Sequence, residues 1–372
     1  MAKSRDPIDE LSNQAEEMPD GPAKTAILEE AVRMADTHGD LPRAFEIRQE
    51  LITSATFGGQ PDVAIVHFSW CLAQFDEDPE RFDEHDLLWK YKWIVAVLPN
   101  FPQISRKEIE RILDDIEERY RCYGSTMHSI YNKRRSVAMD MGDVKAAKKA
   151  HAKMRKTRRD SLSDCKACIA DEMVVYLRFL NQNTRAVNEG IKLIKSNLCC
   201  SEVPDTTYSL LLVPLLKLHR AKEAMKYHQI GYRLNARDPD RLAAVNRHIE
   251  FLALTDNFAD AVKLVQKHLP MALSTVDQHN RFEFYRVAWL VFERLRESGK
   301  DSIKLRMPAN FSLALEGGKY QTDQIAKGFH DLAHEIALRF DVRNGNDFYR
   351  RKLTDTTKLK KYATPFPIAP QK

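Results

Sequence analysis

Glycine is scarce in this sequence, with 13 in 372 residues. Glycine supplies the left-handed backbone of tight turns, bulges and phosphate-cradling loops, so its scarcity argues for helices. The chain has no Gly-rich phosphate loop and no Gly-x-Ser-x-Gly elbow, which excludes the common nucleotide-cradling and serine-hydrolase signatures. It also lacks long apolar runs. The longest, residues 210–216 (LLLVPLL), is far short of the roughly 20 residues a membrane helix needs. The opening MAKSRDPIDELSNQAEE has no apolar stretch of a secretory signal. Six scattered cysteines do not make a disulfide framework and fit a reducing compartment, so a cytoplasmic protein with no membrane partner is expected. A dominant charge sign is missing as well: 58 basic and 53 acidic residues leave a net +5. That balance does not demand nucleic acid. No histidine motif of a metalloprotease occurs, and no constellation reads as an enzyme active site.

What is present is repetition. Several segments share one layout, a polar turn, a small residue and an amphipathic run: AKTAILEEAVRMA, PDVAIVHFSWCLA, VKAAKKAHAKM, TRAVNEGIKLI, AKEAMKYHQIGYRL and FADAVKLVQKHL. Their small residues are Ala26, Ala64, Ala147, Ala186, Ala224 and Ala261, and the last four follow one another at an almost constant step. Ile109 takes the missing middle position, one such step before Ala147. Such a period signals stacked helix pairs, slightly longer than tetratricopeptide units of about 34 residues. The small residue belongs where the second helix of a pair crosses the first, because a large side chain would push them apart. Ser105 and Glu108 form a capping box ahead of the helical pattern Ile109, Ile112, Leu113, Ile116. Gly39-Asp40, Gly142-Asp143 and Asp256-Asn257 mark turns.

The expected fold is all-α: a tetratricopeptide-like, right-handed α-solenoid of about seven helix-turn-helix units with an irregular C-terminal cap. The expected boundaries are an N-terminal leader or cap over 1–20, the array over 21–298, a capping region over 299–351 and a basic flexible tail over 352–372. A terminal repeat needs such a cap to cover its open apolar face.

The sharpest chemical feature is Cys165-Lys-Ala-Cys168 followed by Cys199-Cys200. Two cysteines at this spacing are half of a common zinc site. In an antiparallel helix pair the start of one helix lies beside the end of the next, so Cys165, Cys168 and Cys200 can converge. Either Cys199 or Asp205 can serve as fourth ligand of a closed, structural site. Free thiols and a disulfide stay open as alternatives.

These residues carry a resemblance. The stretch from CKACIADEM through NLCCSEVPDTTY to IGYRL, with LLWKYKWI, NFPQIS, HIEFLALTDN and FDVRNGND, resembles a family of bacterial tetratricopeptide-repeat proteins over about residues 40–350. The family pattern has Cys-x-x-Cys and then a lone Cys before Glu-Val-Pro-His. Cys165, Cys168, Cys200 and Glu202-Val203-Pro204 match it, and Asp205 stands in the histidine position. The resemblance implies a helical repeat and macromolecular binding, with no particular activity or partner.

Two further features bear on partners. Trp89, Tyr91 and Trp93 can anchor a docked peptide or pack between units. The basic run over 145–159, with Lys148, Lys149, Arg155 and Arg158 and preceded by Lys133-Arg134-Arg135, can meet phosphates or be a solvated face opposite the acidic stretch 108–118. His330 and His334, and the oxygen-rich 341–347, read as incidental spacing and a turn. The leading expectation is a non-enzymatic scaffold, adaptor or sensor that binds a protein or peptide in a concave groove. The alternative is a nucleic-acid-binding regulator using the 133–159 patch.

Overall fold

Proline and aspartate set where the first helices begin. In the computed structural model, which describes residues 6–368, α1 (Pro7–Glu16), α2 (Pro22–His38), α3 (Leu41–Phe57) and α4 (Pro61–Glu77) all carry proline in their first turn. There the missing N–H has no helical partner to lose, and the fixed φ suits the helix. The carboxylates of Asp6 and Asp40 accept from the Ile8 and Arg43 amides, satisfying donors the helix leaves orphaned. Gly39 ends α2 at φ 68°, the left-handed stop that the Gly39-Asp40 reading requires.

The chain divides into two compact units, Met1–Pro99 with Arg106–Val137 and Ala146–Ser163, and Asn100–Ser105 with Ala138–Lys145 and Asp164–Lys372. In the first unit, α5 (Glu84–Val97) and α6 (Arg106–Cys122) follow α4, and each of α1 to α5 packs on the next. Helix α6 starts directly after Ser105, where the capping box put it. The inward faces bury Leu28, Leu51, Phe68, Leu88, Ile109, Ile116 and Tyr120. Arg48 holds Asp36 through two bonds of 2.9 and 2.7 Å and lies 3.7 Å over the Trp70 ring.

Helices α7 (His128–Asp140) and α8 (Val144–Met154) come next, then those of the second unit: α9 (Lys166–Phe179), α10 (Asn183–Lys195), α11 (Asp205–Leu210), α12 (Leu212–Lys217), α13 (Ala221–Asn235), α14 (Leu242–Leu254), α15 (Phe258–Ser274), α16 (Gln278–Glu297), α17 (Thr322–Asn344) and α18 (Phe348–Leu359). Helix α9 packs on α10, and α13 on α11 and α12. Helix α14 touches α13 and α15 on either side in sequence, and also α11, α12 and α16. One apolar cluster runs through all of them, from Val174 to Leu353.

Among the described residues the protein is all-α apart from one small hairpin. Strands β1 (Ser302–Lys304) and β2 (Lys319–Gln321) pair antiparallel, Ile303 opposite Tyr320. The sequence reading expected no sheet, and strands this short cannot show alternation. Of the small residues, Ala64, Ala147, Ala186, Ala224 and Ala261 are buried at 0–1 % exposure. Ala26 is not: it faces solvent, and the buried neighbour is Thr25, whose hydroxyl lies 3.2 Å from Ser54 Oγ. The repeat alignment is one position out there.

The described terminal segments pack on their neighbours. Within 1–20, α1 buries Ile8 and Ala15 and packs on α2; residues 1–5 lie outside the described residues. In the region read as a cap, α17 lies along α16 and buries Ile325, Phe329, Ala333, Ile336 and Phe340 at helical spacing. The tail expected from 352 is helix to Leu359, and then binds the end of α14. Thr364 N donates to Leu254 O at 2.9 Å and Phe366 N to Thr255 O at 3.1 Å. Asn257 donates to Phe366 O at 2.9 Å and accepts from Ile368 N at 3.0 Å. Residues 369–372 of that tail lie outside the described residues.

Candidate metal centre

Cys165 is the N-cap of α9, and its sulfur accepts from the Cys168 amide at 3.4 Å. The cap bends the chain so that both sulfurs of the Cys-x-x-Cys face one side. The chain turns at Asn181 (φ 56°) and returns along α10. Past the end of α10, the loop closes on itself as Cys200 N donates to Val203 O at 2.9 Å. The antiparallel pair thereby delivers Cys200 to the start of α9. The Sγ atoms of Cys165, Cys168 and Cys200 lie within 4.8 Å of one another. Ala167, Leu193 and Val203 form an apolar floor beneath them.

The environment separates the thiols. Burial pushes the Cys165 thiol up, but hydrogen bonds from the Cys168 amide and from the neighbouring thiols outweigh it and hold its pKa below the usual value. The Cys168 thiol is raised, first by burial and then by the two sulfurs beside it. Sulfurs on one tetrahedral zinc lie about 3.8 Å apart at Zn–S distances near 2.3 Å, so a modest inward movement suffices. The three cysteines could hold a metal ion. Asp205 and Cys199, the two candidates for fourth ligand, do not join the cluster at this distance. Asp205 begins α11, where its backbone oxygen accepts from Asn235. Cys199 is exposed in the loop. All six cysteines are unbridged.

The aromatic trio is drawn inward. Tyr91 is buried and donates to Asp115 at 2.7 Å. Trp93 meets Phe57 edge-on, and the half-buried Trp89 carries the Lys92 ammonium 3.3 Å from its ring centroid. The basic run splits into two kinds of residue. Arg135 is fully buried and bonds Asn132 at 2.6 Å, Lys133 is buried, and Arg134 is gripped by Asp114 and Glu117 at 2.7 Å. These three offer no free patch. Lys148, Lys149, Arg155 and Arg158 are exposed, and no acidic partner reaches them among the described residues. The acidic stretch 108–118 faces Arg134, Arg119 and Arg121 instead. His330 and His334 stack at 6.0 Å. Within 341–347, Asp341 is buried and accepts from the Tyr349 and Arg350 amides, so the segment joins α17 to α18.

Sequence reasoning missed a second polar constellation. Charged side chains of α9, α14, α16 and α18 surround a cavity of about 200 Å³ in the second unit. A signal existed: Arg247 and Arg286 stand apart by the interval that separates the small residues. Comparison with models of known protein families and with curated proteins returned no match for this chain.

Proposed function

We propose that this chain is a non-enzymatic binding scaffold, a tetratricopeptide-like array whose helix pairs offer one face to a protein or peptide partner. One observation carries the reading. Ala186, Ala224 and Ala261 recur at an almost constant interval, each fully buried, on α10, α13 and α15. These are the helices that fold back on α9, α11–α12 and α14. A repeated crossing of this kind builds pairs in series, and α14 touching both α11–α12 and α16 is the contact such a series requires. The resemblance to bacterial tetratricopeptide-repeat proteins points the same way. On this reading a zinc ion at Cys165, Cys168 and Cys200 fastens the open end of the α9–α10 pair, with Cys199 or Asp205 moving in as fourth ligand.

The test has two parts. Purified protein is assayed for zinc, and Cys165 and Cys168 are changed together to Ser. Loss of the metal with a lower melting temperature is expected; a metal-free wild type with unchanged melting removes the staple. Native pull-down followed by calorimetry with the purified candidate tests the scaffold, with a protein or peptide bound stoichiometrically as the expected result. Nucleic acid in its place, bound with steep salt dependence and lost on replacing Lys148, Lys149, Arg155 and Arg158, selects the regulator reading favoured by those exposed cations.

A further inference from the structure

The cavity among α9, α14, α16 and α18 is lined by four cations, Arg178, Arg247, Arg286 and Lys352, and two anions, Glu250 and Glu283. The anions are already taken. Arg286 bonds Glu250 at 2.7 Å and Glu283 at 2.8 Å, its Nη1 also donates to Thr356 Oγ1 at 3.0 Å, and Lys352 makes a second ion pair with Glu283. That leaves Arg178 and Arg247. Among the described residues, no hydrogen bond or ion pair reaches the Arg178 side chain. Arg247 donates only to the Ser209 hydroxyl, at 3.3 Å. Desolvating a cation without a partner is costly, and the cost is visible here. Burial and the like charge of Arg247 push the Arg178 guanidinium down to about 10. Burial lowers Arg247 as well, although Asp171, Glu283 and Glu250 act from a distance to raise it. His279, on the same wall, is pushed by burial down to about 3. It is therefore neutral and supplies no further charge.

We infer that this cavity is a receptor for a phosphoryl dianion, either inorganic phosphate or the phosphate of a small monoester, held between Arg178 and Arg247. Two guanidinium groups with no carboxylate in direct contact match two negative charges on one compact group. Each presents a planar fork of N–H donors suited to phosphate oxygens. The Asn246 Oδ1 atom, buried without a partner on the same wall, can accept from a hydroxyl of the monoester or of protonated phosphate. The cavity's size admits a phosphoryl group with a small organic remainder and excludes a folded segment. The inference stands apart from the scaffold reading, since it requires no macromolecular partner.

The full-length protein is titrated with phosphate and with glycerol 3-phosphate, against sodium chloride of equal ionic strength and against acetate, by calorimetry and thermal melting. Phosphate or its ester is expected to bind and raise the melting temperature beyond both controls. Tighter binding of the ester identifies a monoester site, and equal or weaker binding a free-phosphate site. Arg178→Gln and Arg247→Gln should each weaken binding about tenfold or more, the loss of a charge-assisted bond. Lys300→Gln, an exposed cation past the end of α16, should leave it unchanged. In phosphate-free buffer Arg178→Gln should melt no lower than wild type, because it removes an unpaired cation. A response equal to chloride, acetate binding as well as phosphate, or an Arg178→Gln protein that keeps full phosphate affinity overturns the inference.

Discussion

Three evenly spaced histidines, His228, His248 and His268, meet inside α13, α14 and α15. The Nδ1 atoms of His228 and His248 are 3.1 Å apart. One must donate and the other accept, so the accepting nitrogen carries no proton. Tyr232 OH lies 2.9 Å from His268 Nε2. Burial pushes His228 and His268 down to about 4 and His248 well below its usual value. The unfolded chain takes up these protons near pH 6.5, and the folded chain does so only near pH 4. Stability from the neutral rings is complete above pH 6.5 and is lost as pH falls through that window. Asp140 and Asp277 act oppositely. Burial raises them to about 7 and about 6, so their contribution is present in acid and lost as pH rises through those values. The histidine share is isolated by His228→Gln. Urea denaturation across pH 4–6.5 should show wild type losing about 3 kcal/mol more than the variant, from a shift of some two and a half pH units. Parallel curves would refute this.

Between helices, close approach decides what a position tolerates. Gly231 lies on α13, where a methyl group would come within 2.6 Å of Tyr208 Cβ on α11. Helix propensity alone would reward Gly231→Ala by about 1 kcal/mol. Contact with an atom next to the backbone cannot be relieved by a rotamer, so the variant should be destabilised by about 1–3 kcal/mol. Chemical denaturation gives the sign directly, and a more stable variant would mean that α11 and α13 yield easily. This crossing logic is also why the small residues were legible: Ala224 and Ala261 are buried on helices that pack against their neighbours, and their spacing shows in the sequence. The Cys-x-x-Cys half of the cysteine cluster was legible because its two cysteines lie within one helical turn. The hairpin β1–β2 was not, since its strands are very short and the long connection between them does not bring the two ends together in sequence. Nor was the charged cavity, whose walls come from helices widely separated along the chain and converge only after packing. Helix α18 was hidden by the proline-containing end that follows it.

The second unit is not a continuous piece of chain. It takes residues 100–105 and 138–145 from earlier in the sequence and uses them. Asn100 donates to Asp277 at 2.8 Å, Arg343 to Phe101 O at 3.2 Å, Asn346 to Met141 O at 2.8 Å and Tyr349 OH to Asp140 O at 3.3 Å. A fragment starting at Asp164 would leave Asp277, Arg343 and Asn346 without these partners in a place where water cannot fully replace them. Circular dichroism melting should find that fragment less cooperative and melting lower than the intact chain. An equal midpoint and slope would show those two segments to be dispensable.

The grip of Asn257 on the backbone at Phe366 and Ile368 has a practical side. Residues 364–368 are thereby held beside the α14–α15 turn. A fluorophore coupled there would serve as a fixed end of a molecular ruler, and a bulky affinity handle would crowd that turn.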